Sequence, residues 1–229
     1  MSITRKAGNK ALVVCSAGLD STTVAYDMAD RGYDVDLLHF RYGCRAETRE
    51  ASLVKNIAED MRGKGYAVEN IFLDIDYSSY SGNSPLLTDN DIAQGKSGAE
   101  YAHEWVPARN LLMVSHAVAY AEANDYSWVA LGNNLEESGA YPDNEEEFTH
   151  LLQDALDYAV HDGAWVQLVS PVGHLMKHEI VALGLRLGVP YELTWSCYHG
   201  GEIHCGDCGP CFMRETAFER NEAVDPVFN

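Results

Sequence analysis

The stretch from Ala11 to Thr23, ALVVCSAGLDSTT, limits the folds open to this chain more than any other. Ala11 to Cys15 is a short apolar run rich in β-branched valine, the pattern of a strand covered on both faces within a parallel sheet. The composition then switches to Ser16, Ala17 and Gly18, small enough for the backbone to approach a ligand closely. Asp20, Ser21 and Thr22 follow where the next helix begins, so free N–H groups and the positive end of the helix dipole would face an anion. Two readings meet here: a phosphate or pyrophosphate cradle, and an ordinary strand-to-helix turn of an α/β protein. The stretch carries neither the dinucleotide GxGxxG nor the Gly-Lys-Ser/Thr of a Walker loop. A methyl group at Ala17 is expected to need a negative φ, because positive φ is glycine's province.

Downstream, the hydrophobic periodicity alternates. Leu19 to Arg31 reads as a helix, Val35 to Phe40 as a strand, Glu47 to Met61 as an amphipathic helix and Val68 to Ile75 as a third strand. Val106 to Asn124 follows as a buried helix, Trp128 to Gly132 as a strand, Glu145 to His161 as a helix, Val166 to Val169 as the fifth strand and Lys177 to Leu187 as the last helix. This alternation predicts a doubly wound, parallel, five-stranded α/β sheet of the Rossmann-like kind, with its ligand at the carboxyl ends of the strands. Residues 1–190 would form the nucleotide-binding domain and residues 191–229 a small metal-binding segment packed on it. Tyr77 to Trp105, rich in Ser, Gly, Asn and Asp, interrupts the rhythm and reads either as a partly ordered lid or as a surface insertion.

Between Cys197 and Cys211 the chain reads CYHGGEIHCGDCGPC. Cys197, Cys205, Cys208 and Cys211 suit a closed tetrahedral zinc site, with an iron–sulfur centre as the alternative. His199 and His204 are expected to be exposed loop histidines. Cys15 is expected to pack as a small hydrophobe, while Cys44 would lie on the ligand edge. A formal charge of −19 argues against binding nucleic-acid backbone, which needs Lys and Arg. No apolar run approaches a membrane span and the N-terminus has no signal-peptide core, so a cytoplasmic protein without a membrane partner is expected.

The opening stretch resembles the SGGxDS signature of the PP-loop ATP pyrophosphatases, with Ala17 at a glycine position. Other segments resemble 7-cyano-7-deazaguanine synthases: Phe40 to Gly43 with Arg45; Val106 to Asn110, VPARN, with Ala108 at a second glycine position; Ser138 to Asp143; Pro171 and Lys177; and Thr194 to Tyr198. That family converts 7-carboxy-7-deazaguanine and ammonia to the nitrile with ATP, adenylating first the carboxylate and then the amide. The resemblance implies ATP, Mg²⁺ and Zn²⁺ as cofactors and a homodimer. It implies an ATP loop at Cys15, Ser16, Ala17, Gly18, Leu19, Asp20, Ser21, Thr22, Thr23, Val24 and Ala25. Asp20, Arg109 and Lys177 would be the catalytic groups, with Tyr42, Arg109, Asn110, Asn133, Glu136, Tyr141 and Asp143 about the base. Glu136, Glu137 and Asp143 all remain candidates for the carboxylate that reads a guanine-like edge. An enzyme stopping at 7-amido-7-deazaguanine, a tRNA sulfurtransferase using Cys44, and a non-enzymatic nucleotide-binding or zinc-linked module are the other readings.

Overall fold

A computed structural model describes residues 8–79, 82–101, 103–161 and 164–228. Five strands form one sheet: β1 (Lys10–Val14), β2 (Asp34–Arg41), β3 (Asn70–Asp74), β4 (Trp128–Ala130) and β5 (Gln167–Val169), in the order β3-β2-β1-β4-β5. Every pairing is parallel. The period-two alternation of β1 sends Ala11 and Val13 into one apolar cluster and Leu12 into another, so the sheet is covered on both faces. Helices α1 (Leu19–Asp30), α2 (Glu47–Gly63) and α7 (Lys177–Leu187) close the first face through Val24, Val54 and Ile180. Helix α4 (Arg109–Ala123) closes the second through Val114 and Val118, beside Leu86 and Val106. The chain order reverses between β1 and β4, and a crevice opens at their carboxyl ends, the topological switch point where doubly wound sheets take their ligands.

The differences from the sequence reading lie at element ends and in short pieces. The buried helix begins at Arg109 rather than Val106, because Pro107 cannot continue a hydrogen-bonded turn and Ala108 is left-handed. Helix α6 (Glu146–Leu156) stops short of His161. Helices α3 (Gly95–Glu100), α5 (Leu135–Ser138) and α8 (Gly209–Glu219) carry no long apolar stripe and were not expected.

The cysteine segment shares the core of the sheet domain. Trp195, Cys208, Cys211 and Phe218 belong to the same apolar cluster as α1 and α2. Arg214 of α8, 1% exposed, forms two bonds to Asp225 at 2.7 and 2.9 Å and donates to Thr194 Oγ1 at 2.7 Å, tying the helix to the strand-like segment before Cys197. The interruption at 77–105 is pinned along its middle. Arg45 donates to the carbonyls of Thr88 and Asn90, and the Gly95 N–H donates to the Asp207 carbonyl at 2.6 Å. Tyr80, Ser81 and Ala102 of that stretch, and Met1 to Ala7, lie outside the described residues. Among the described residues no helix is long and apolar enough to cross a membrane.

Candidate active site

The first N–H groups of α1 have no partner within their own helix and open onto a cavity at the switch point. Cys15, Ser16, Gly18, Leu19, Asp20 and Ser21 line it. The end of β4 presses close: a Cβ on Gly132 would stand 2.9 Å from the Ser21 nitrogen, so only glycine lets the two turns meet. The helical period turns the remaining loop residues inward. Thr23 Oγ1 donates to the Leu19 carbonyl at 2.8 Å and contacts the Tyr191 hydroxyl at 3.0 Å, while Val24 and Ala25 are fully buried in the core. Thr22 is buried with its hydroxyl unpartnered. Thr23, Val24 and Ala25 therefore support the turn from behind and do not line the cavity.

Ala17 overturns the expectation of a negative φ: it sits at +58°, and Ala108 at +52°. Both stand at positions where the sequence resemblance places glycine, and each lies within two residues of the start of a helix whose first turn lines the cavity. For a residue with a Cβ this left-handed conformation is strained by about 1–2 kcal/mol. It is held at Ala17 by the Trp195 N–H, which donates to the Ala17 carbonyl at 2.8 Å. Ala108 is exposed, so it isolates the backbone effect. Ala108→Gly is expected to match or exceed the parent in urea unfolding, because relieved strain offsets the glycine's extra unfolded-chain freedom of about 0.4–1 kcal/mol. Ala108→Val, β-branched, should lose about 1–3 kcal/mol. A valine variant as stable as the parent would contradict the strain.

Lys177, the first residue of α7 and only 6% exposed, reaches across the cavity. Its Nζ lies 3.0 Å from Asp20 Oδ2 and 2.5 Å from Glu137 Oε1. The two carboxylates respond in opposite directions. Burial pushes Asp20 up to about 6 despite Lys177, whereas burial at the nearer Glu137 is outweighed by Lys177 acting with Asn134 and Arg109, which hold it low. One cation does not serve both fully, and Asp20 Oδ1 is buried with no hydrogen-bond partner. A hard divalent cation takes oxygen donors of this kind, so Asp20 fits a magnesium role, with Glu137 beside it.

Arg109 projects from the first turn of α4, its Nη1 3.5 Å from the Tyr42 hydroxyl, and lines the cavity with Tyr42, Asn110 and Asn133. Glu136 is placed elsewhere: its Oε2 accepts from the Lys177 N–H at 3.0 Å and caps α7. Tyr141 stacks on Trp105, 12° from parallel with centroids 6.4 Å apart. Asp143 closes a smaller adjoining cavity that shares Asn110 and Asn133 with the main one. Burial pushes its carboxyl up, and its Oδ1 is buried without a partner. Cys44 is buried, and burial, reinforced by Glu50, pushes its thiol up to about 12, far from the thiolate that sulfur transfer requires.

The sulfurs of Cys197, Cys205, Cys208 and Cys211 all lie within 4.8 Å of one another, and those of Cys205 and Cys211 are 3.9 Å apart. Around one tetrahedral ion with metal–sulfur bonds of about 2.3 Å, the sulfurs stand about 3.8 Å apart, so the four fit a metal. His199 is exposed as expected, but His204 is not. Its ring packs 4.1 Å from that of Trp195, and its Nε2 accepts from the Ser196 N–H at 3.1 Å.

Several residues that line the cavity escaped the sequence reading: Glu50, Trp195, Ser196 and Tyr198. Ser196 and Tyr198 flank Cys197, so the metal loop is also a wall of the cavity. Adjacency to a ligand cysteine was the signal for these two. Glu50 had its own signal, a carboxylate in register with the inward stripe Leu53, Val54, Ile57, Ala58 and Met61 of α2.

Comparison with known proteins follows the same outline. The family model of queuosine biosynthesis protein QueC matches residues 10–222. A 7-cyano-7-deazaguanine synthase 2 of Sulfurisphaera tokodaii is 50% identical over 95% of this chain. The chain spans about half the length of that relative and of those from Sulfolobus acidocaldarius and Saccharolobus solfataricus, 47% of each. A 7-cyano-7-deazaguanine synthase of Nitratiruptor sp. is 36% identical and is covered over 97% of its length. Among solved structures, NMN synthetase from Francisella tularensis superposes with a TM-score of 0.51 at 16% identity, over 97% of this chain and 81% of that one, which shows a shared fold.

Proposed function

The chain belongs to the family of queuosine biosynthesis protein QueC, and from that premise we propose that it converts 7-carboxy-7-deazaguanine and ammonia to 7-cyano-7-deazaguanine with ATP. The carrying observation is that the α1 cradle, the Asp20–Lys177–Glu137 ion cluster and Arg109 face one cavity. A carboxylate is a poor electrophile, and transfer of AMP turns its oxygen into a leaving group. Ammonia then gives the amide, and a second adenylation on the amide oxygen permits loss of AMP as the nitrile forms. The same cradle serves both adenylations. Ser16, Gly18, Asp20 and Ser21 bind the phosphates through N–H and hydroxyl groups, while Lys177 and Arg109 stabilise the charge that develops on departing pyrophosphate. Asp20 would hold a magnesium ion, which would supply positive charge against those phosphates.

The base lies against Tyr42, Asn110, Asn133 and Tyr141. Asp143, whose free buried oxygen adjoins Asn110 and Asn133, is the carboxylate assigned to the guanine-like edge; Glu136 and Glu137 are engaged by Lys177. Zinc is the ion assigned to the cysteines, because thiolates gathered this closely surround a single ion more readily than a cluster. The segment 77–105, anchored at Thr88, Asn90 and Gly95 and reaching Tyr141 through Trp105, is assigned the part of a lid. Cytoplasmic location, a homodimer, and small-molecule partners without nucleic acid or membrane complete the reading.

The test is product mass together with an AMP count, after incubation of the full chain with the acid, ATP, magnesium and ammonia. The nitrile, with two AMP formed for each, is expected of this mechanism. The amide as sole end product would overturn nitrile formation, and absence of AMP would overturn the reaction altogether.

A further inference from the structure

Helix α2 turns Glu50, Leu53, Val54, Ile57, Ala58 and Met61 inward, and only the first of these is charged. Glu50 stands at the end of the stripe that opens on the cavity, which it lines together with Arg109. On the reading that this cavity adenylates a carboxylate, we propose that Glu50 is the proton acceptor for ammonia as the carbon–nitrogen bond forms.

The chemistry requires such a group. Ammonia is largely protonated at neutral pH, and only the neutral molecule has a lone pair to donate. In the addition, that lone pair forms the C–N bond to the acyl carbon, the C–O bond to AMP breaks with its electron pair leaving on AMP, and one N–H proton must depart. Moved to the Glu50 carboxylate, it leaves a neutral amide, an AMP anion and a protonated Glu50 that returns its proton to solvent.

The other groups on the cavity are less suited. Asp20 and Glu137 are bound to the Lys177 ammonium at 3.0 and 2.5 Å. Burial pushes the Tyr42 and Tyr198 hydroxyls well above a phenol's ordinary range, so neither supplies a base. His39 has its Nδ1 3.0 Å from the Cys15 carbonyl, and burial depresses its basicity. Around Glu50 stand Arg109 from α4, Glu47 on its own helix, Tyr42 and Cys44 from the preceding loop, and Cys15 at the end of β1. Glu47 is itself held, accepting from the Gly43 N–H at 2.6 Å. Burial, opposed by Arg109 and aided by Glu47, pushes the Glu50 carboxyl up to about 7, where an acid both takes up and releases protons readily.

The experiment compares the full chain with Glu50→Gln and Glu50→Asp in two assays. The first is acid-dependent ATP–pyrophosphate exchange without ammonia. The second is amide formation against ammonium concentration over a pH series. Exchange should persist in both variants. In Glu50→Gln, kcat/KM for ammonia should fall by about 10²-fold or more. The parent should show a rise through about pH 7 beyond ammonia's own ionisation, as the carboxylate is unmasked, and the glutamine variant should lack it. Glu50→Asp, which keeps the carboxylate, should fall between them. An unchanged ammonia dependence in Glu50→Gln would overturn the role. So would equal loss of exchange and amide formation in folded variants, since that describes a residue positioning Arg109 or the substrate. Absence of exchange in the parent would overturn the adenylation reading itself, and this role with it.

Discussion

Cys208→Ser is expected to release the bound metal, lower the melting temperature and abolish activity together. Cys208 is fully buried and is the residue from which α8 starts, so its sulfur is fixed by the core as well as by the cluster. Structural zinc sites contribute about 10–16 kcal/mol of binding free energy in small peptides. A chain with its own core depends on the metal for less of its stability, and about 3–5 kcal/mol lost is a fair expectation for a buried ligand whose removal strands three thiolates. Activity should fall with it for a local reason. Ser196 and Tyr198 on either side of Cys197 line the cavity, and the Trp195 N–H holds the strained Ala17 turn of the cradle. Metal content by elemental analysis, thermal unfolding and AMP release would be measured on one preparation. Loss of metal with undiminished activity would show that the loop holds its shape without the ion. Chelator treatment of the parent should reproduce the variant, and readdition of zinc should restore the parent alone.

The parts legible in the sequence were those whose signal is local. The strand, turn and helix at residues 10–30 share one contiguous stretch, and the cysteines declare themselves by spacing. The parts that were not legible depend on what the fold brings near. Residues 209–219 show few apolar positions in helical register, because the buried face of α8 includes Cys211, grouped with three other cysteine sulfurs, and Arg214, bonded to Asp225. The positive φ at Ala17 goes with a hydrogen bond from Trp195, far along the chain, which no local propensity reports. Glu136 and Glu137, adjacent in sequence, separate in role only because α7 presents a backbone N–H to one and an ammonium to the other. Asp143, by contrast, keeps a free buried oxygen, and that distinction exists only in three dimensions.

Lys177→Met should lower kcat by about 10²–10³-fold, the effect of removing one preorganised group that stabilises developing charge. It should also destabilise the fold by about 3–5 kcal/mol, since a buried pair broken on one side leaves the other charge uncompensated. Here two charges are left, Asp20 and Glu137, and the sign of the pH dependence follows from them. In the parent, Asp20 lies above its unfolded value, so its unfavourable contribution is fully present above about pH 6 and disappears as pH falls towards the unfolded value. Glu137 is depressed, so its favourable contribution holds at neutral pH and is lost on acidification. Without the ammonium both carboxyls rise, both prefer the proton, and the variant should gain stability relative to the parent between about pH 8 and about pH 5. Unfolding at both ends of that range measures the difference, and a stability gap independent of pH would count against this cluster. Adding Glu137→Gln to Lys177→Met removes one stranded charge, so stability should return in part. Catalysis should not return, because the cation facing the departing pyrophosphate is still missing. Recovery of both would mean that Lys177 serves the fold alone.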